Sequence, residues 1–170
     1  MIRLTVFGKA VPQGRPRFAR IGNFVRPYDP KESREYKRTV KDAVVHWLRT
    51  NRPDFKPFET SVYVGMIFYR SIPKSFSKKQ FADAVAGTLR PATKPDLDNT
   101  TKAILDALNG IAWKDDAVIT DLHLKKRYTT GMERVELLIK ETNENAEMLQ
   151  VRETNLFPEN LKGQPDAVRP

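Results

Sequence analysis

Four aspartates lie at the two ends of one short predicted helix, and a lysine lies within it, in a chain that is otherwise strongly basic. Asp96 and Asp98 precede or open the helix, Lys102 lies within it, and Asp115 and Asp116 follow it. Like charges that lie close together disfavour each other's ionisation, so a basic protein has little structural reason to concentrate acids there. A divalent cation removes that penalty, because Mg²⁺ is held by one or two carboxylates together with water and phosphate oxygens. The pattern therefore indicates metal-dependent chemistry on a phosphodiester.

The spacing of these residues predicts how they could meet. Asp96 and Asp98 are two positions apart, and in an extended segment that spacing puts both side chains on one face. Asp98 is also well placed to be the N-cap of the helix, and Lys102 then lies one helical turn later. The strand that follows Asp116 could return beside the preceding strand and so bring a third carboxylate to the same metal ion.

Each feature also has a purely structural alternative. Asp98 alone is more often a helix cap than a metal ligand. Lys102 and Asp106 alone would be an ordinary surface pair four residues apart. Asp115 and Asp116 alone would mark a turn. Only the joint arrangement of these side chains favours a metal site.

Composition narrows the classes of partner. Thirty Lys and Arg residues against 21 Asp and Glu give a formal net charge of +9, which favours a polyanion, most simply nucleic acid. The absence of cysteine excludes disulfides and thiolate metal sites, and two histidines are too few for a His-rich zinc site. No segment has the pattern of a signal peptide or a membrane span, so we expect a cytoplasmic protein with no membrane partner.

The order of predicted elements, β-α-β-α-β-β, indicates an α+β (mixed α/β) domain with one mixed sheet of about four strands and helices packed against it. We interpret residues 11–28, which are rich in Pro, Gly and Arg, as an irregular basic loop. The predicted strands cover residues 2–8, 60–70, 118–128 and 134–140, and the last two are expected to form a hairpin around residues 129–131. The predicted helices cover residues 31–50, a short stretch from about Ser77, and residues from about Asp98 to just before Gly110.

We place the domain at residues 1–140 and interpret residues 141–170 as an acidic, partly mobile tail with a short helix around residues 146–152. The tail has three basic and six acidic residues, whereas residues 1–50 have 12 basic and four acidic ones. The net positive charge is therefore unevenly distributed and is high in the first 50 residues.

The run KPDLDNTTKAILDALNGIAWKDDAVI, residues 94–119, resembles the signature of the RusA family of Holliday junction resolvases. Residues 14–17 (GRPR) and 72–79 (IPKSFSKK) support this resemblance, which covers roughly residues 3–140. It implies a homodimeric endonuclease that depends on Mg²⁺, which Mn²⁺ could replace, and that cuts four-way DNA junctions symmetrically.

The same resemblance implies a catalytic set carried over position by position: Asp96, Asp98, Lys102 and Asp116. The three aspartates would be the metal ligands. Asp115 is an alternative to Asp116, because the loop before this pair is slightly shorter than in the best-known family member. That member has a basic residue directly before its first aspartate, where this chain has Pro95, so we expect the corresponding DNA contact at Lys94.

The implied reaction is in-line hydrolysis of a phosphodiester by water, with one or two Mg²⁺ ions and with Lys102 stabilising charge on the phosphate. Basic side chains would bind the DNA backbone with affinity that falls steeply with salt. The residues expected to make these contacts are Lys9, Arg15, Arg17, Arg20, Arg26, Lys74, Lys78, Lys79 and Lys94. The aromatic rings of Phe18 or Phe76 could stack on bases at the branch point or could anchor their loops to the core.

A C₂ dimer suits this substrate, because a four-way junction has approximate two-fold symmetry and needs two opposed cuts. Two alternatives stay open, and a third fails. The protein could be a nuclease for other branched DNA, such as flaps or forks. It could be a catalytically silent junction-binding protein, although all four expected catalytic positions are filled. A glycosyltransferase using Asp-x-Asp is disfavoured by size and by the missing nucleotide-binding sheet pattern.

Overall fold

The computed structural model describes residues 1–22 and 24–142 and confirms the α+β fold. A four-stranded mixed sheet and a separate two-stranded sheet accompany the helices. The strands are β1 (Ile2–Phe7), β2 (Arg17–Ile21), β3 (Phe24–Tyr28), β4 (Val62–Ser71), β5 (Ile119–Thr129) and β6 (Arg134–Glu141). The helices are α1 (Lys31–Asn51), α2 (Lys78–Ala86) and α3 (Leu97–Leu108), and a short 3-10 turn covers Asp116–Val118.

Strand β4 forms the centre of the main sheet, whose strand order is β1-β6-β4-β5. It pairs antiparallel with β6 and parallel with β5. Its first seven residues are buried, as its nearly continuous apolar run predicts for a strand that is covered on both faces. The predicted β5–β6 hairpin is wrong, because β4 needs a partner on each edge and lies between these two strands. The loop of residues 130–133 crosses the end of β4 instead.

Strands β2 and β3 form an antiparallel hairpin, which we call the arm (residues 17–28). The prediction of an irregular loop over residues 11–28 is therefore wrong for this part. Every residue of β3 is exposed, so the alternation of buried and solvated positions that identifies a strand in a sequence is missing here. Pro27 is compatible with β3 because a strand in a two-stranded sheet has a free edge.

The helices follow the predicted local signals. Helix α1 buries Tyr36, Val40 and Val44 at the predicted helical spacing. Helix α2 begins with the predicted capping box, in which the Ser77 hydroxyl accepts from the Gln80 N–H and the Gln80 side chain accepts from the Ser77 N–H. Helix α3 is followed by Asn109 and then by Gly110, whose positive φ of 73° is the usual conformation after a helix end.

The core lies between the sheet and helices α1 and α3, which pack on each other. Ile104 and Leu108 of α3 and Met66 of β4 belong to this one cluster of buried side chains, and so does Trp113, which is completely buried. Helix α3 is therefore packed against the core along most of its length. Its two ends lie near opposite ends of strands β4 and β5.

No helix in the described part of the chain is both long enough and apolar enough to cross a membrane. Glu141, which the sequence assigned to the tail, belongs to β6. Residues 143–170 of the predicted tail, with the helix expected around residues 146–152, lie outside the described residues.

Candidate active site

The N-terminal end of α3 carries the first two aspartates of the predicted site. Asp96 is at the N-cap position with an extended backbone, and its carboxylate makes no capping hydrogen bond. Its carbonyl accepts hydrogen bonds from the Thr100 hydroxyl at 2.8 Å and from the Thr100 N–H at 3.2 Å. The prediction that Asp98 caps the helix is wrong, because these bonds start the helix at Leu97 and place Asp98 inside the first turn. Both carboxylates are exposed, and the positive end of the helix dipole favours negative charge there.

Two cations hold the segment that leads into Asp96. Lys126 of β5 donates hydrogen bonds to the carbonyls of Thr93 at 2.7 Å and Pro95 at 3.0 Å. Arg70 of β4 donates to the carbonyl of Lys94 at 3.0 Å. Burial and then the charge of Arg70 lower the pKa of Lys126, an effect that Asp96 opposes. The position of Asp96 is thus set by the C-terminal parts of two neighbouring sheet strands.

A cleft of about 470 Å³ opens beside this end of α3. Its charged lining residues are Lys9, Arg15, Glu32, Arg70, Lys94 and Asp96. Three of the predicted DNA contacts (Lys9, Arg15 and Lys94) therefore share one cleft with Asp96. Four basic side chains against two acidic ones make the cleft suitable for a phosphate-bearing ligand.

The cleft is closed on one side by the segment that leads into the arm. The backbone N–H of Gln13 donates to the carbonyl of Asn99 in the first turn of α3 at 2.8 Å. Gly14 follows, and a Cβ at this position would lie 2.7 Å from Cγ of Pro30, so only glycine allows the close approach. This segment therefore keeps Arg15 in the cleft with Asp96.

Lys102 lies one turn after Asp98 in α3 and is exposed, as the helical spacing predicts. Asp106, a further turn along, accepts a hydrogen bond from Lys37 of α1 at 2.9 Å. Lys37 also bonds Asp29, at 2.8 Å, so Asp106 is part of an ion-pair network that joins α3 to α1. The structure thus separates Lys102, which faces solvent, from Asp106, which has a structural partner.

Asp115 and Asp116 lie at the other end of α3. The Asp115 carboxylate accepts from the Ala117 N–H at 2.9 Å and caps the 3-10 turn. Ile119, directly after this turn, pairs with Val62 at the start of β4, whereas Lys126, which holds the Asp96 segment, pairs with Phe68 near its end. Helix α3 has 12 residues. At 1.5 Å per residue the helix itself spans about 18 Å, and Asp116 lies eight residues beyond its last residue, Leu108.

Strand β5 does return beside β4, as expected. Asp116, however, precedes the start of β5, whereas the Asp96 segment is bonded to Lys126 near the end of that strand. Within one chain Asp96 and Asp98 both lie at the start of α3, whereas Asp116 follows its other end. The prediction of an extended segment with Asp96 and Asp98 on one face is wrong, because Asp98 lies inside the helix. Residues 1–22 and 24–142 contain no group of three or more His, Asp or Glu side chains arranged to hold a metal ion. The carboxylate oxygens of Asp96 and Asp98 are nonetheless donors of the kind that Mg²⁺ requires, and Mg²⁺ needs only one or two of them beside water and phosphate.

The remaining predicted DNA contacts extend outward from the cleft. Arg17, Arg20 and Arg26 lie on the arm and are exposed. Lys74, Lys78 and Lys79 are exposed in the connection after β4 and at the start of α2. The ring of Phe76 packs edge-on against Tyr128 of β5 at 5.5 Å, so Phe76 anchors this connection beside the strand end that bears Arg70.

Sequence reasoning missed Arg70 and Lys126. Both are basic residues at the C-terminal part of an otherwise apolar or mixed strand, where the sheet ends and the α3 segment begins. A sequence signal did exist for Arg70, since it follows a long apolar run and interrupts it. Lys126 lies within the KKR run of β5, which gives no indication of which cation turns inward.

Two comparisons relate the sequence of this chain to known proteins. The family model described as "Endodeoxyribonuclease RusA" matches residues 8–140. The chain is also similar to the uncharacterized protein YqaN of Bacillus subtilis (strain 168), with 40% identity over 144 residues. That similarity covers 84% of this chain and 97% of the Bacillus protein. The residues that the family model matches include both acidic groups and every element from β2 to β6, except the last residue of β6.

Proposed function

The chain belongs to the RusA endodeoxyribonuclease family, and on that premise we propose that it is a Mg²⁺-dependent endonuclease that resolves Holliday junctions by paired, symmetric cuts. The observation that carries the proposal is the position of Asp96 in a cleft with Lys9, Arg15 and Lys94. Carboxylates that lie among phosphate-binding cations suit a reaction on the DNA backbone better than a structural role, because a purely structural carboxylate would be bonded to one of those cations.

The side chains have separate roles in the proposed reaction. Lys9, Arg15 and Lys94 bind phosphates on either side of the cut and orient the backbone. Asp96 and Asp98 would hold Mg²⁺, which supplies Lewis-acid activation of water and neutralises phosphate oxygens when it is bound. Lys102 donates to a non-bridging oxygen of the same phosphate as negative charge develops there.

A second subunit is part of the proposal. Asp96 and Asp98 supply two carboxylates at the start of α3, while Asp116 follows the other end of α3 and precedes β5 in the same chain. In a C₂ dimer the same two patches meet twice, so Asp116 of one subunit can face Asp96 and Asp98 of its partner at each of two sites. This arrangement would give one active site for each opposed cut, and it would make cutting depend on dimerisation.

The test compares a synthetic four-way junction with a linear duplex of matched sequence, each in Mg²⁺ and in EDTA. We expect paired nicks near the branch point of the junction in Mg²⁺, no nicks in EDTA, and an intact linear duplex. Equal or faster cutting of flaps or forks would replace junction resolution by a broader branched-DNA nuclease. Tight junction binding without cutting in either Mg²⁺ or Mn²⁺ would contradict the catalytic assignment and favour a silent binding protein.

A further inference from the structure

The arm exposes large apolar side chains that nothing in the described chain covers. Phe18 is 70% exposed, Phe24 75%, Val25 63% and Tyr28 41%. Monomeric proteins rarely expose apolar groups in such a cluster unless the cluster binds something. The arm also adds little to the stability of the fold, since a two-stranded hairpin alone is marginally stable in water.

The register of the arm places an aromatic ring beside an arginine on each of its faces. Phe18 pairs with Pro27, and Arg20 pairs with Val25, so these four side chains share one face. Arg26 pairs with Ala19, and Tyr28 pairs with Arg17, so these side chains share the other face with Phe24. Both faces therefore combine a flat apolar surface with a cation.

The charge of the arm identifies the class of its partner. Residues 17–28 contain three arginines and no acidic residue. Two arms from two copies of this chain would repel each other, whereas a polyanion would be attracted to either face. Proteins that hold unpaired nucleotides combine these same two features, cations that follow the backbone and rings on which bases stack.

The base of the arm is fixed to the body beside the candidate active site. On one side the N–H of Gly14 donates to the hydroxyl of the buried Ser33 at 3.0 Å. On the other side Asp29 accepts from Gln13 at 2.9 Å and from Lys37 at 2.8 Å. Because Gln13 is itself bonded to Asn99 in the first turn of α3, the arm projects from a point fixed relative to Asp96 and Asp98.

We propose that the arm is a base-stacking element: Phe18 and Phe24 receive unpaired bases at the branch point while its arginines bind the adjoining phosphates. The inference rests on the proposed function for its substrate, branched DNA. In this proposal the arm opens or holds the branch point, and the phosphodiester is cut in the cleft. A linear duplex offers no unpaired base, so the arm would distinguish the two substrates.

The test uses the full chain and the double variant Phe18→Ala/Phe24→Ala, with Phe7→Ala as the matched control. Phe7 is 59% exposed on β1, outside the arm, and all three rings are mostly exposed, so their removal leaves no buried cavity. Two probes that contain 2-aminopurine are measured in EDTA, which prevents cutting: a four-way junction labelled at its branch point, and a single-stranded oligonucleotide.

We expect the wild type and Phe7→Ala to change the 2-aminopurine fluorescence of both probes. The double variant should lose that change and should bind the single strand more weakly, by on the order of tenfold per stacked base. Its affinity for a linear duplex should be unaffected. Retention of the signal and of single-strand affinity by the double variant would overturn the proposal. Conversion of a wild-type dimer into a monomer by the double variant would also overturn it, since the rings would then cover a second copy.

This design separates the two proposals. If the wild type cuts no junction in Mg²⁺, the proposed function fails. The single-strand probe still reports on the arm in that case, and loss of its signal in the double variant alone would support the base-stacking element independently.

Discussion

Asp96 is the N-cap residue of the 12-residue helix α3, and Asp116 lies eight residues beyond the last residue of that helix, in the turn before β5, although the resemblance to the RusA family implies that both serve one catalytic site. Asp96 is held at the strand ends that bear Arg70 and Lys126, and Asp116 precedes the opposite end of β5. Helix α3 is packed against the core along its length, so it cannot bend to bring the two together. In the proposed site with three carboxylates, Asp116 would therefore come from a second chain.

Mixed dimers test whether Asp116 acts on the partner's site. Asp98→Asn and Asp116→Asn should each abolish cutting as homodimers. In a heterodimer purified by two different tags, both defects fall in one site and the other site is intact, so we expect recovery of single nicks in a four-way junction. Paired cuts should not recover. An inactive heterodimer would contradict the shared site, because two defects in separate sites leave neither intact.

Asp98→Asn should separate catalysis from binding. Loss of even an indirect metal partner typically lowers activity 10- to 100-fold, so loss of a direct ligand should lower junction cutting by more than about 100-fold. Junction affinity in EDTA should be kept or slightly raised, because a carboxylate no longer repels the phosphates. The matched control is Asp42→Asn on the exposed side of α1. Equal loss of binding and cutting would show that Asp98 has a structural role instead.

The sequence predicted those parts of the fold that depend on interactions within one short segment. The capping box at Ser77, the glycine after α3 and the buried apolar run of β4 each belong to one short segment, and each was confirmed. The position of β4 between β5 and β6 was not predictable in this way. It depends on which strands pair with each other, and the residues of a single segment do not determine that pairing.

The same distinction applies to the candidate site. The sequence indicated the cations of the cleft and the aspartates at the start of α3, because their residue types alone are informative. It placed the helix cap at Asp98 because Asp is a favourable cap. The structure places the cap two residues earlier, at Asp96, since Thr100 bonds the carbonyl of Asp96. The inward direction of Lys126 is set by packing between strands, which a sequence pattern does not carry.

Lys126→Met should destabilise the protein by about 1–3 kcal/mol, because two carbonyls lose a charged hydrogen-bond donor. Junction cutting should fall further than junction affinity, since the segment that positions Asp96 is released. Urea unfolding and paired cutting and binding assays measure the two effects. Lys114→Met is the control, since Lys114 and its partner Glu59 are both 70% exposed and such surface pairs contribute about 0–1 kcal/mol. Equal stability of the two variants would contradict the role of Lys126.

The network of Lys37 with Asp29 and Asp106 should make stability depend on pH. The hydrogen bond from Lys37 lowers the pKa of Asp29 below its ordinary value of 3.8, although burial opposes it. Burial alone would lower the pKa of Lys37, but its bonds to both carboxylates raise it above 10.5. The stabilisation is therefore fully present between the ordinary pKa values of 3.8 and 10.5. It is lost as pH falls through the lowered pKa of Asp29 or rises through the raised pKa of Lys37.

Urea unfolding of the wild type and Lys37→Met measures this dependence. The difference in free energy of unfolding should be roughly 1–3 kcal/mol near pH 7, at the lower end where solvent screens the pair. It should shrink below about pH 4. Lys31→Met, which removes an exposed pair with Glu35 on the same helix, should show almost no difference at either pH. A constant Lys37→Met difference down to pH 2 would mean that packing of the lysine stem, and not its charge, stabilises the fold.

Lys9 and Arg15 should contribute affinity without sequence information. Each neutralises a backbone phosphate in the proposed complex, and release of counterions makes binding weaken with salt by a slope of about −0.9 per phosphate contact on duplex DNA. Lys9→Ala/Arg15→Ala should therefore weaken binding to the junction and the linear duplex alike, and should make the plot of log K against log salt concentration shallower by roughly 2. Fluorescence anisotropy titrations over a range of NaCl concentrations measure this slope. Lys56→Ala, which removes an exposed cation from the loop before β4, should leave it unchanged. An unaltered slope in the double variant would show that the phosphates do not enter the cleft beside Asp96.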